Sequence, residues 1–310
     1  ARTLMPAGAA SHTRGVFGGG LQADPAGSYT KYDYVTIAST GNAAEFGTLN
    51  VTNAYWAACG NDVRGVWGGG YVAPAAKDAM EYITFTSLGN GTDFGNLQSA
   101  RYELAAASNS TRGFFCGGSG GSPFSRQNTM DFFQIATAAN TVDFGDLTST
   151  RAAPAGNASE VRAVFAGGQT PSLVNTIDYV EIGSLGDAAD FGDLNNAGGY
   201  MGTANNALRG TWAGGYAPSH IDVIDYVTIA SAGNATDFGD LTTATSALSG
   251  LSNGHGGLEA FLPRPIYFPG SGLALFAGGY DSAYTDKAEY INLKTLGNAA
   301  DWGNLTTARA

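Results

Sequence analysis

Apolar and polar positions alternate in short runs, and the same succession of runs returns six times along the chain. Alternation at every second residue predicts half-buried strands, and a fixed internal period predicts a repeat architecture before any local propensity is consulted. The clearest statement of the repeat is Arg209-Gly210-Thr211-Trp212-Ala213-Gly214-Gly215, then Asp225-Tyr226-Val227, then Gly233-Asn234, then Asp237-Phe238-Gly239-Asp240-Leu241. Its last aromatic recurs at Phe46, Phe94, Phe144, Phe191, Phe238 and Trp302, at gaps of about 48, 50, 47, 47 and 64 residues, a period of propeller blades rather than of helical repeats.

Each unit reads as four strands. The first is rich in small residues, as in Glu103-Leu104-Ala105-Ala106-Ala107-Ser108, and an Arg precedes it at Arg2, Arg101 and Arg151. Small side chains fit an innermost strand, where the units converge. The second strand ends in paired glycines, as after Gly15-Val16-Phe17 or Gly113-Phe114-Phe115. Such a pair supplies positive φ or lets another backbone approach closely, and no helix follows that would make it a phosphate cradle. The third strand is β-branched and aromatic, as in Tyr34-Val35-Thr36-Ile37 and Tyr226-Val227-Thr228-Ile229. Turns at Gly41, Gly89, Gly233 and Gly297, each followed by Asn, and at Gly186-Asp187 lead into the fourth strand, which carries the repeated aromatic.

The expected fold is therefore all-β, a six-bladed β-propeller with four antiparallel strands per blade, filling residues 1–310 as one domain. The blades fall at about 1–50, 51–97, 98–147, 148–194, 195–241 and 242–310, with an insertion at about 250–271 in the last. The final Asp301-Trp302-Gly303-Asn304-Leu305 runs in register into the opening segment, so the units are expected to close on themselves.

The order of small-residue strand, double glycine, Tyr, aromatic and Leu, then Arg, resembles the kelch repeat over the whole chain, and Trp302 restores the kelch Trp that five units replace with Phe. The phrases Arg-Gly-Val-Phe-Gly-Gly-Gly, Asp-Tyr-Val-Thr-Ile-Ala and Asn-Ala-Thr-Asp-Phe-Gly-Asp-Leu resemble the kelch-like repeats of bacteriophage tail-fibre and virion structural proteins. That resemblance implies a non-enzymatic structural or host-recognition protein of a virion, with other virion proteins and a host surface glycan or receptor as partners. The alternative is a secreted or cell-surface carbohydrate-binding propeller; an enzyme ranks third.

Composition narrows the chemistry. A net charge of -11 with no basic cluster argues against a nucleic-acid partner, and no apolar run reaches the roughly 20 residues of a membrane-spanning helix. Cys59 and Cys116 stand at non-equivalent positions, which predicts buried thiols rather than a disulfide framework. His12, His220 and His255 lie in different units, so no catalytic or metal-binding set is nominated and no cofactor is expected. Calcium is considered at Asp143 with Asp146, Asp190 with Asp193 and Asp237 with Asp240, although the second acid is replaced in the other units and turn capping is the preferred reading.

Three groups of residues remain as candidates. Arg14, Arg64, Arg112, Arg162 and Arg209 open the second strand and Asp33, Glu81, Asp131, Asp178, Asp225 and Glu289 open the third, so charge-assisted pairing between the two series is expected. The variable loops between second and third strands carry Tyr71, Phe124, Tyr216, His220, Tyr280 and Tyr284, a mixture suited to sugar stacking or protein docking. The insertion carries His255, Phe261, Arg264, Tyr267 and Phe268 and is expected on the opposite face, where it packs on its own propeller or docks a partner, with docking preferred.

Overall fold

The computed structural model describes residues 6–23, 26–120, 125–256, 258 and 272–309. Within them the chain is all-β and propeller-like: six four-stranded antiparallel sheets follow one another, with smaller two- and three-stranded ribbons in the loops. Unit 3 shows the pattern, with strands at Ala105–Ser108, Arg112–Cys116, Thr129–Gln134 and Val142–Asp146 hydrogen-bonded in chain order. The strand order of the other five is the same, so two hairpins per unit make one sheet. Each third strand meets its fourth across a register shift, as between Met130 and Asp131.

The core lies between the units rather than within them. Phe114, Cys116, Met130 and Phe144 of unit 3 pack against Ala163, Phe165, Val180 and Ile182 of unit 4. The same interlock joins unit 6 to unit 1, where Leu275, Trp302 and Leu305 pack against Phe17, Val35 and Ile37. A sheet with one apolar face has to bury it on a neighbour, and here each sheet buries both faces on two neighbours.

The inner strands are made of small residues because they nearly touch. A Cβ on Gly156 would lie 2.5 Å from the Ala106 carbonyl oxygen, and one on Gly250 would lie 2.1 Å from that of Thr203. The inner strands of all six units line a narrow central cavity with two compartments of about 50 and 60 Å³. Strand one of unit 3 begins at Ala105, two residues later than the alanine-rich run suggests. Glu103 stands outside it with φ of 57°, as do its counterparts Tyr55, Ala153, Tyr200 and Ala247, all with positive φ. Each of these backbone N–H groups after Tyr55 donates to the carbonyl of the previous one, so a belt of hydrogen bonds links successive units.

The paired glycines all have positive φ, from Gly19 and Gly20 to Gly278 and Gly279. The turn after the third strand does more than reverse the chain. Its Asn or Asp side chain accepts from a backbone N–H of the preceding unit's outer strand: Thr48 to Asn90, Asn96 to Asn140, Asp146 to Asp187, Asp193 to Asn234, Asp240 to Asn298 and Asn304 to Asn42. The Gly of the Asp-aromatic-Gly phrase makes room for that turn, since a Cβ on Gly145 would sit 2.4 Å from the Gly186 oxygen.

Candidate functional site

The connectors into the inner strands and the loops between second and third strands emerge at one end of the sheets. Here the structure brings Tyr216, His220, Tyr280 and Tyr284 into one aromatic chain across units 5 and 6. Successive ring centroids are 5.9, 5.7 and 5.7 Å apart, all edge-on. His220 Nδ1 lies 3.0 Å from Ser246 Oγ, which fixes the imidazole between the tyrosines. Tyr216 is exposed and the other three are half-buried, so each presents part of a ring to solvent.

Tyr71 joins a second group with Tyr55 and Tyr102, at centroid separations of 5.2 to 6.1 Å. Tyr55 and Tyr102, together with Tyr200, whose hydroxyl donates to Glu103 at 3.3 Å, escaped the sequence reading because they sit in the connectors. Their signal was positional: they immediately precede the small-residue strand, a segment with no alternation of its own. Phe124, Phe261, Arg264, Tyr267 and Phe268 lie outside the described residues.

The expected pairing of the two charged series is replaced by a different wiring. Arg14, Arg64, Arg112, Arg162 and Arg209 lie over the rings of Tyr34, Tyr82, Phe132, Tyr179 and Tyr226 at 4.6 to 5.4 Å, and each donates to a carbonyl of the next unit, as Arg112 does to Ile182 at 2.6 Å. Only register explains this. Arg14 stands opposite Thr36, three residues along from the Asp33 that faces Phe17, so the guanidinium reaches the following sheet instead.

The acids pair with another set of arginines. Arg101 Nη2 lies 2.8 Å from Asp131, Arg151 bonds Asp178, and Arg309 Nη1 lies 2.9 Å from Asp33, with all six side chains fully buried. Arg101 also donates to the carbonyls of Gly117, Thr129 and Phe115, and Arg151 repeats the first two on Gly167 and Thr176. In unit 1 this seat is filled from the far end of the chain by Arg309. Among the described residues no Arg meets the remaining acids: Glu81 accepts from Tyr32, Asp225 from Asn195 at 2.6 Å, and Glu289 from Thr242. Burial pushes the carboxyls of Glu81, Asp225 and Glu289 up from their ordinary range.

The insertion begins one strand later than its expected span, because Ser249–Ser252 is the inner strand of unit 6. Its described base crosses the end of the central cavity. His255 Nε2 lies 2.7 Å from the Ala10 oxygen of unit 1, while a Cβ on Gly256 would lie 2.4 Å from the Ala158 oxygen of unit 4. Burial pushes the imidazole of His255 down to about 4. On this same opposite face His12 Nδ1 bonds Asp62 at 2.8 Å.

Among the described residues no group of three or more His, Cys, Asp and Glu is placed to hold a metal ion. Of the aspartates considered for calcium, Asp237 accepts from the N–H of Gly239, two residues along the same outer strand. Cys59 and Cys116 are free and buried, and burial pushes the Cys59 thiol up to about 12, away from nucleophilic use. Among the described residues no helix is long and apolar enough to cross a membrane. No protein-family model matches the chain, and no match was found among curated protein sequences.

Proposed function

We propose that the chain is a six-bladed, kelch-like β-propeller whose sixth blade closes on the first, and that it serves as a non-enzymatic structural or host-recognition component of a bacteriophage virion, in a tail or fibre. The observation that carries the recognition role is the aromatic chain Tyr216–His220–Tyr280–Tyr284, held partly exposed on the loop face by edge-on ring contacts and by Ser246. Rigid amphipathic rings of this kind lose little entropy on contact and suit a protein or sugar partner. The virion assignment draws on the repeat phrases that resemble phage tail-fibre sequences.

Cryo-electron microscopy of the native source material tests the reading. The expected result is several symmetric copies attached to a tail or fibre; a free monomer overturns the virion role. A second reading, a carbohydrate-binding propeller outside any virus, is favoured by the same tyrosine rings, which can stack on sugars. A glycan array tests it, with binding lost on Tyr216→Ala and Tyr280→Ala.

A further inference from the structure

Units 1, 3 and 4 each place a guanidinium in the same seat against the acid of the third strand; in units 3 and 4 it also donates to the carbonyls where the second strand ends and the third begins, and in unit 1 Arg309 donates to Phe17 as Arg101 does to Phe115. The backbone at that position is also repeated. The carbonyls of Arg101, Arg151, Gly198, Thr245 and Arg309 each accept from the N–H of the second glycine of the preceding unit, at 2.8 to 2.9 Å. In unit 6 the position is therefore Thr245, and the seat has lost its side chain without losing its walls.

Those walls enclose a cavity of about 20 Å³ lined by Thr243, Thr245, Phe276, Gly278, Lys287 and Glu289, with Asp281 and Thr285 from the aromatic loop beside it. Phe276, Gly278, Lys287 and Glu289 are the register equivalents of Phe115, Gly117, Thr129 and Asp131, the four residues that hold Arg101 in unit 3. Room for about one water-sized group remains where the sister units hold the head of an arginine. The charged groups facing it are Glu289, Asp281 and Lys287, whose ammonium donates to Thr243 Oγ1 on the cavity wall at 3.2 Å, so an incoming guanidinium shares the two carboxylates with it. Unit 2 differs, because Asn53 fills the equivalent position and donates to Gly69 at 2.5 Å.

We propose that this cavity is a binding site for a guanidinium group, and that its occupant is an arginine side chain inserted by a protein partner docked on the loop face. The source of the guanidinium rests on the docking reading above; the seat itself does not. An arginine entering past Asp281 and Thr285 comes in beside the loop that carries Tyr280 and Tyr284, so the site adjoins the aromatic face. Binding forms hydrogen bonds and an ion pair with Glu289 and makes no covalent change.

The test is isothermal titration of the whole chain with guanidinium chloride and with N-acetyl-arginine amide, against sodium chloride and N-acetyl-lysine amide at matched ionic strength. Saturable binding of both guanidinium compounds is expected, weakened at least about tenfold in Glu289→Gln and abolished in Thr245→Arg, which fills the seat from within. Thr245→Arg is also expected to raise the melting temperature, as a restored copy of the sister units. Absence of saturable guanidinium binding, or binding undiminished in either variant, overturns the site. Binding of the free ion without the blocked arginine overturns the protein partner and leaves a small-cation seat. Should Thr245→Arg fail to fold, Glu289→Gln decides. Because this titration needs no virion, its failure is separate from that of the imaging experiment.

Discussion

Units 3 and 6 fold to the same four-stranded sheet, yet their buried acids live in different company. Asp131 is held by the fully buried Arg101. Among the described residues Glu289 has only Thr242 as its hydrogen-bond donor, and a cavity lies where the guanidinium would be. Units 1 and 4 follow unit 3; units 2 and 5 share the missing Arg of unit 6. What all six retain is the acid's second task. A group just past the preceding outer strand donates to it: the N–H of Asn50 to Glu81, of Gln98 to Asp131, of Thr148 to Asp178, of Asn195 to Asp225 and of Thr242 to Glu289, with the Thr306 hydroxyl doing so for Asp33. The acid is thus kept for anchoring the chain as it crosses between units, and the Arg is an addition that some units carry. An unpartnered buried N–H is costly, whereas a buried ion pair is nearly interchangeable with well-packed neutral groups.

The largest difference between the two classes is expected on removing the acid's charge. Asp131→Asn strands the Arg101 guanidinium in the interior and is expected to cost about 3–5 kcal/mol, while Glu289→Gln, which strands no charge, costs about 1 kcal/mol; urea unfolding of both variants measures this. Equal losses would break the comparison. A smaller effect sharpens it: Arg101→Met combined with Asp131→Asn is expected to recover about 1–3 kcal/mol relative to Asp131→Asn alone, because no unpaired charge remains, and no recovery would mean that Arg101 acts through packing rather than charge.

The smallest effect is in pH. Glu81, Asp225 and Glu289 have folded-state carboxyls raised above their unfolded values, so their contribution to stability is present below the unfolded value and is lost as pH rises through the raised one. Replacing all three by their amides is expected to flatten that fall in a melting-temperature profile above pH 4. His255 acts in the opposite sense. Its folded value of about 4 lies below the ordinary 6.5, so its share is present above 6.5 and lost as pH falls toward 4. His255→Gln in the same background separates the two slopes.

Much of the fold was legible because it is local. Alternation placed the strands, paired glycines marked backbone with positive φ, and the Asp-aromatic-Gly phrase marked the outer strand. The loop aromatics Tyr216, His220, Tyr280 and Tyr284 were also legible as variable, ring-bearing positions, and they do gather. The wiring of charge was not. Nothing in the spacing of Arg14 and Asp33 tells that Arg14 lies over Tyr34 and reaches Phe85 while Asp33 waits for Arg309.

By itself, then, the sequence determined the number of repeats, the class of each element and the turns between them, since strand alternation and glycine φ depend on neighbours a few residues away. Tertiary structure alone decided which arginine meets which acid, that Tyr55 and Tyr102 join Tyr71, and that Thr245 leaves a seat empty that three sister units fill. Those outcomes depend on how adjacent sheets pack, and packing brings together residues tens to hundreds of positions apart, as it does Asp33 and Arg309.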